Sequence, residues 1–362
     1  MLRTKSLFAI LALFLVLPLR AALQPGFDKQ EYLEMLRIIA TFSESQSPAF
    51  PKPERYIRIH RSPAFAMDNM YDFWYDPAEK AVAIHLRGTT GKAISWLENF
   101  YAAMIPAEGS VQLGNGQQFD YKFSSDKRAA VHVGWTVGLG YMVNDMKARL
   151  DSVLSSGVRD LVVVGHSQGG ALAFLMTAYL RQAQLDGKIP AGTRIKTYCS
   201  AGPKPGNLYF AYDYERQTQN GWAFNVVNAA DWVPETPISI QTLNDFNNTN
   251  PFKNAKELFK KQKFPQNILF KYFFNQLEKP TTKARKKYQK FLGKLVGGFV
   301  EKQIEGAAPP AFFQSNNYVR TGHTIVLYPD AAYYTQFPDS DTNFFVHHMF
   351  APYYHLAQKL NM

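Results

Sequence analysis

Cysteine is almost absent: Cys199 stands alone among 362 residues. One thiol can close no intramolecular disulfide and supply no cysteine-based zinc site, so neither staples this chain. Long apolar runs are missing too. None approaches the roughly 20 residues a helix needs to span a bilayer. Charge is scarce at 19% against 46% hydrophobic residues, which excludes a disordered polymer and leaves enough apolar mass for a sizeable core. No internal repeat and no linker divides the chain, so residues 23–362 read as one large domain.

The N-terminus has its own composition. Arg3 and Lys5 precede an apolar run from Leu7 to Leu17, followed by Pro18 and the small residues Ala21 and Ala22. A basic region, a short apolar region and small residues after it describe a secretory signal peptide. Residues 1–22 are therefore set aside from fold reasoning, and the protein is expected to be secreted or to reside in the periplasm or cell envelope.

The net charge of +11 sits in one place. Between Lys253 and Lys302 there are fourteen Lys and Arg against three Asp and Glu, and the rest of the chain is neutral. Phe291, Leu292, Leu295, Val296, Phe299 and Ile304 recur at helical spacing between lysines, and Ile268–Leu277 is a second aromatic-rich helical stretch. Together they describe a basic helical insert at about 245–310. Its polar face is either simply solvated or, through residues 253–302, meets an anionic membrane or lipid interface. Nucleic acid is set aside as a partner, because no recognised motif accompanies the lysines.

Around the insert, strands alternate with helices, which argues an α/β fold with a mostly parallel central sheet flanked by helices. Helices are expected at 28–42, 136–156 and 169–186, and strands at 64–75, 81–86, 160–164, 194–199, 222–227 and 318–328. Asn115–Gly116 marks a hairpin within 111–123. Pro352 is expected to open a last short helix.

The stretch Asp160-Leu-Val-Val-Val-Gly165-His166-Ser167-Gln168-Gly169-Gly170 is a buried-type strand, then Gly-x-Ser-x-Gly, then a helix. A serine at the tip of such a turn takes strained backbone angles, and the flanking positions must be glycine to let the chain pass close. Ser167 then stands clear of the sheet as a nucleophile, and the Gln168 amide is free at a helix N-terminus to stabilise a negative oxygen. His166 points away and is read as structural. Asp231 follows the strand-like run Trp222–Val227, where open sheets place their sites, and fits the acid that orients a base. Of the later histidines, His323 falls in a strand pattern and His355 in a solvated helix. His347 and His348 lie on a loop suited to a base, and residue physics alone does not choose between them. The strand Ala81–Leu86 leads into Arg87-Gly88-Thr89, which offers Thr89 as a second oxyanion donor. Beyond it, Ile94, Trp96, Leu97, Tyr101, Met104 and Ile105 form an apolar surface, either core or lid.

These residues resemble the class 3 lipases, the fungal-type lipase family within the α/β-hydrolase fold. The segments that carry the resemblance are Arg87-Gly88-Thr89 with Trp96, Val131-His132-Val133-Gly134-Trp135, Gly165–Gly170, Gly202-Pro203-Lys204-Pro205-Gly206-Asn207, Asp231-Trp232-Val233-Pro234 and His348-Met349-Phe350-Ala351-Pro352-Tyr353. They cover roughly residues 60–240 and 318–360. The resemblance implies a catalytic triad of Ser167, Asp231 and His348, because a tyrosine follows His348 by five residues. It also implies an oxyanion hole of Thr89 and Gln168, a structural His132, a lid after Thr90, and no metal or cofactor. Gln168 stands where the family often has leucine, the Thr89–Trp96 gap is one residue longer, and the basic insert is not a general family feature. The expected activity is hydrolysis of triacylglycerol or a related lipid ester. The alternatives are a phospholipase or a feruloyl-type carbohydrate esterase on the same fold, or a non-catalytic protein that binds anionic surfaces.

Overall fold

The computed structural model describes residues 23–42 and 50–361, so the signal-peptide expectation for residues 1–22 lies outside the described residues. A seven-stranded sheet forms the centre. Its strands, in spatial and chain order, are β1 (Ile57–Arg61), β2 (Tyr71–Asp76), β3 (Ala81–Leu86), β4 (Asp160–His166), β5 (Arg194–Ser200), β6 (Ala223–Asn228) and β7 (His323–Leu327). β1, β2 and β3 form an antiparallel meander, and every pairing from β3 to β7 is parallel. The helices are α1 (Lys29–Ala40), α2 (Ala93–Phe100), α3 (Val133–Ser155), α4 (Gln168–Leu185), α5 (Leu208–Gln217), α6 (Ala255–Lys260), α7 (Gln266–Gln289), α8 (Val296–Gln303), α9 (Ala331–Gln336) and α10 (Phe350–Gln358). This is the α/β-hydrolase arrangement expected from the sequence.

Strand alternation sorts the core into two layers. Val82, Ile84, Leu86, Leu161 and Val163 face one side, where they join Leu139, Met142 and Met146 of α3 and Leu172 and Leu175 of α4. Ala83, Val162 and Val164 face the other, against Tyr32, Leu36 and Ile39 of α1 and Tyr353 and Leu356 of α10. β4 is buried along its whole length, which is why it reads as an unbroken apolar run.

Several expected boundaries shift. Residues 64–75 are not one strand: Ala66–Asp68 form a 3-10 turn, with Met67 and Asp68 at positive φ, and the strand begins only at Tyr71. The single strand expected at 318–328 is two. Tyr318–Val319 pairs with Gly206–Asn207 in a small four-stranded sheet, while β7 closes the edge of the central sheet; Gly322 at φ 82° turns the chain between them. α3 starts three residues early because His132 caps it, its Nδ1 accepting from the Trp135 amide at 3.2 Å. Pro352 is the third residue of α10, still in the first turn, where its missing N–H costs no intrahelical bond.

The insert is helical, as its periodicity predicts. α7 continues through a π-helical turn, Lys290–Leu295, into α8. Val296, Val300 and Ile304 enter the main core, and Gly293 and Gly297 let the turn press against Ala103 and Tyr101, where a Cβ would meet both side chains at 3.0 Å or closer. Among the described residues no helix is long and apolar enough to cross a membrane.

Candidate functional site

Ser167 sits between β4 and α4 with φ 61° and ψ −130°, a conformation L-residues rarely adopt. Steric crowding explains the glycines around it. A Cβ on Gly165 would collide with the Gly169 carbonyl, and one on Gly169 with the Leu86 carbonyl of β3. The turn is held open by the Ser167 amide, which donates to the Ser200 carbonyl at 3.0 Å. Gln168 is the first residue of α4, so its amide has no intrahelical acceptor and lies at the positive end of the helix.

The loop after β6 carries Asp231, and the loop before α10 carries His348. Both are buried, and His348 Nδ1 lies 2.7 Å from Asp231 Oδ2. The same oxygen accepts from the Tyr353 hydroxyl at 2.7 Å, and Oδ1 accepts from the Val233 amide at 3.0 Å. Burial opposes ionisation of Asp231, but the hydrogen bond and charge of His348, with the Val233 and Tyr353 donors, outweigh it. Its carboxyl is held below the usual range. His347 turns the other way: its Nδ1 lies 2.9 Å from the Tyr333 hydroxyl and its Nε2 2.8 Å from Asp339.

His166 does more than fill space. Its Nε2 donates to the His348 carbonyl at 2.7 Å, and its Nδ1 meets the Ser200 hydroxyl at 3.0 Å. Burial, then the nearby His348 charge, pushes its pKa down to about 3, so the ring is neutral and ties the serine turn to the histidine loop.

On the opposite side, the Thr89 hydroxyl donates to Gln168 Oε1 at 2.7 Å and accepts from Asn99 Nδ2 at 2.9 Å. Asn99 in turn accepts from the Trp135 indole at 2.9 Å. Beneath them the fully buried Glu98 accepts from Asn69 Nδ2 at 2.6 Å. Burial pushes its carboxyl up to about 8, against the opposing hydrogen bonds of Asn69 and Gln168. Glutamine at 168 thus ties the Thr89 loop and α2 to the start of α4 by side-chain hydrogen bonds that a leucine there could not make.

Ser167, His348, Thr89 and Gln168 line one cavity of about 970 Å³. Asp231 sits behind it, reached through His348. Ser167 and His348 both face this cavity and make no direct hydrogen bond to each other. The mouth is apolar, with Phe345 between Trp96 and Trp232 at ring separations of 6.0 and 5.6 Å. Trp96 and Phe100 of α2 are exposed there, whereas Tyr101, Met104 and Ile105 are buried. The apolar run after Thr90 therefore divides between cavity mouth and core. The loop at its base is pinned by Asp68, which accepts from Thr90 Oγ1 and Lys92 Nζ, both at 2.7 Å.

His323 is exposed at the start of β7. His355 is not the solvated helical histidine expected, because it lies half-buried against Tyr333 and Phe337. Asn69, Glu98 and Asn99 were not foreseen, since isolated polar residues on a helix and a turn carry no spacing signal. Tyr353 was visible only as a spacing from His348. Among the described residues no group of His, Cys, Asp and Glu side chains is arranged to hold a metal ion.

Residues 83–240 match the family described as lipase (class 3). A curated relative, the secreted mono- and diacylglycerol lipase 1 of Fusarium solani, is 26% identical over 163 residues, which is 45% of this chain and 41% of that protein. This chain thus spans less than half the length of that relative. Among solved structures, lipase II of Rhizopus niveus is 24% identical with a TM-score of 0.41, covering 58% of this chain and 74% of its own. The triacylglyceride lipase of Rhizomucor miehei is 19% identical with a TM-score of 0.42, covering 59% and 77%.

Proposed function

We propose, from the match of residues 83–240 to the class 3 lipase family and the site geometry above, that this chain is an exported serine hydrolase of lipid esters, triacylglycerol or a related acylglycerol. His348 removes the proton of Ser167 while Asp231 holds the imidazole in the productive tautomer. Ser167 Oγ attacks the ester carbonyl carbon. The amides of Thr89 and Gln168 receive the oxyanion, each donor contributing about 2.7–4 kcal/mol in the transition state. The alcohol leaves with the proton from His348, and water activated by the same imidazole cleaves the acyl-enzyme.

The observation that carries this reading is the 2.7 Å Asp231–His348 hydrogen bond at the wall of the cavity that Ser167 lines. The apolar cavity mouth supports an acyl chain as the bound group. Export is supported by the basic-then-apolar N-terminal sequence and by the secreted relative. Ser167→Ala should lower turnover of p-nitrophenyl butyrate by at least about a thousandfold and abolish labelling by a fluorophosphonate probe. Turnover at the wild-type rate would end the proposal. A panel of triacylglycerol, phospholipid and feruloyl esters assigns the substrate class.

A further inference from the structure

The first half of α7 is rich in exposed apolar side chains, with Phe270 and Leu277 flanking its outward stripe at 44% and 74% exposure. Ile268, Leu269, Tyr272 and Phe273 lie on one stripe of the helix at i, i+1, i+4 and i+5, and each is 50–59% exposed. Phe264, in the turn before the helix, is 78% exposed. Along the same stripe the second half of α7 carries Lys279, Lys283, Lys286 and Lys287, all exposed and none paired with a carboxylate. The carboxylates nearby are occupied elsewhere: Glu278 faces inward to Lys256 at 2.9 Å, and Glu257 pairs with Lys260 at 2.9 Å. The inward side of α7 is marked by the buried Arg285 and by Tyr288, which lines the cavity.

We propose that the outward stripe of α7 docks on an anionic phospholipid surface, its apolar first half entering the interface and its lysines contacting the head groups. Each half of the stripe needs this partner. A second copy of the chain would cover the aliphatic and aromatic side chains but oppose lysine with lysine. A nucleic acid would satisfy the lysines and leave Ile268 and Leu269 in water. A lipid surface of negative charge takes both, in the manner of an interfacial amphipathic helix. Docking also has a direction. Through Tyr288 and Leu292 the same helical arm forms part of the cavity wall, so the cleft is held beside the surface that supplies its substrate. This last step rests on the lipid-ester reading above; the docking itself does not.

The test is flotation of the purified chain with vesicles of phosphatidylcholine alone or containing about one-third phosphatidylglycerol, at about 0.15 M and about 1 M salt. The wild-type chain should float with the anionic vesicles, remain behind with the neutral ones, and lose most binding at high salt. Lys279→Glu, Lys283→Glu, Lys286→Glu and Lys287→Glu combined should weaken binding at least about a hundredfold, given roughly fivefold per lysine near such a surface. Ile268→Ser, Tyr272→Ser and Phe273→Ser combined should also release the chain from anionic vesicles. Both variants should turn over soluble p-nitrophenyl butyrate at the wild-type rate, which separates loss of docking from loss of fold or catalysis. Equal flotation with neutral and anionic vesicles overturns the proposal, as do wild-type binding by either variant and a dimer that binds neither vesicle.

Discussion

Replacing Tyr353 by phenylalanine removes one oxygen atom from a fully buried position and, with it, two hydrogen bonds. The hydroxyl donates to Asp231 Oδ2 at 2.7 Å and accepts from the Asn228 amide at 3.1 Å. A bond to a charged acceptor contributes about 1.5–3 kcal/mol, and a buried donor left without a partner costs about 1–3 kcal/mol. Tyr353→Phe is therefore expected to destabilise the chain by about 3–5 kcal/mol, a large share of an ordinary stability of about 5–15 kcal/mol. Catalysis should suffer less. Asp231 keeps its bonds to His348 and the Val233 amide, so kcat is expected to fall about tenfold, or about 1.4 kcal/mol, with KM unchanged. Acid sensitivity supplies the third readout. A carboxyl with a depressed pKa stabilises the fold above its unfolded pKa, and that stability is lost as pH falls through the folded value. Losing the Tyr353 donor raises the folded value toward 3.8, so acid unfolding should begin at a higher pH. Urea melts, initial rates on a soluble ester and an acid titration measure all three. A variant with the wild-type melt and the wild-type kcat would refute the assignment of Tyr353 as a support of Asp231.

Two other perturbations follow from the geometry. Gly165→Ala drives a methyl group into the Gly169 carbonyl, a backbone collision that no side-chain rotation relieves; a loss of about 3 kcal/mol or more is expected, and a stable, active variant in a urea melt would contradict the steric reading. Glu98 holds its proton up to about pH 8 in the folded chain against 4.5 when exposed, so its contribution is present below 4.5 and lost as pH rises to about 8. Stability should fall across that window with a slope of up to about 1.4 kcal/mol per pH unit. Glu98→Gln should flatten it, and an unchanged slope in melts at intermediate pH values would count against a buried neutral acid.

What could be read in advance was whatever is enforced by short-range sterics. The serine turn is legible because Gly165 and Gly169 are dictated by atoms four residues apart and by β3 running alongside. The Asn115–Gly116 hairpin is legible because both residues take positive φ. β3 matches its expected limits, and β4 begins where expected and runs two residues further, because both strands are buried on two faces. β1 was missed: Ile57 and Ile59 alternate with Arg58 and His60, but the run is only five residues long, three of them Arg or His, and both isoleucines face solvent rather than the core. The 318–328 stretch misled because an apolar pattern does not say which sheet a strand joins. At the site, the difference between His347 and His348 is made by Asp339, Tyr333 and Asp231, none of them adjacent in sequence. The Asn69–Glu98–Gln168–Thr89 cluster is likewise assembled only by folding.

The π-helical turn at Lys290–Leu295 makes the basic arm inseparable from the body that carries Ser167. Leu292 shares the cleft with Ser167, and its carbonyl accepts from the Ala103 amide at 3.1 Å. Excising residues 253–302 would strip the cover from Tyr101 and Ala103 and breach the cavity from the side. Shortening the chain must therefore stop before Tyr288, and any remodelling of the cavity can begin at that flank.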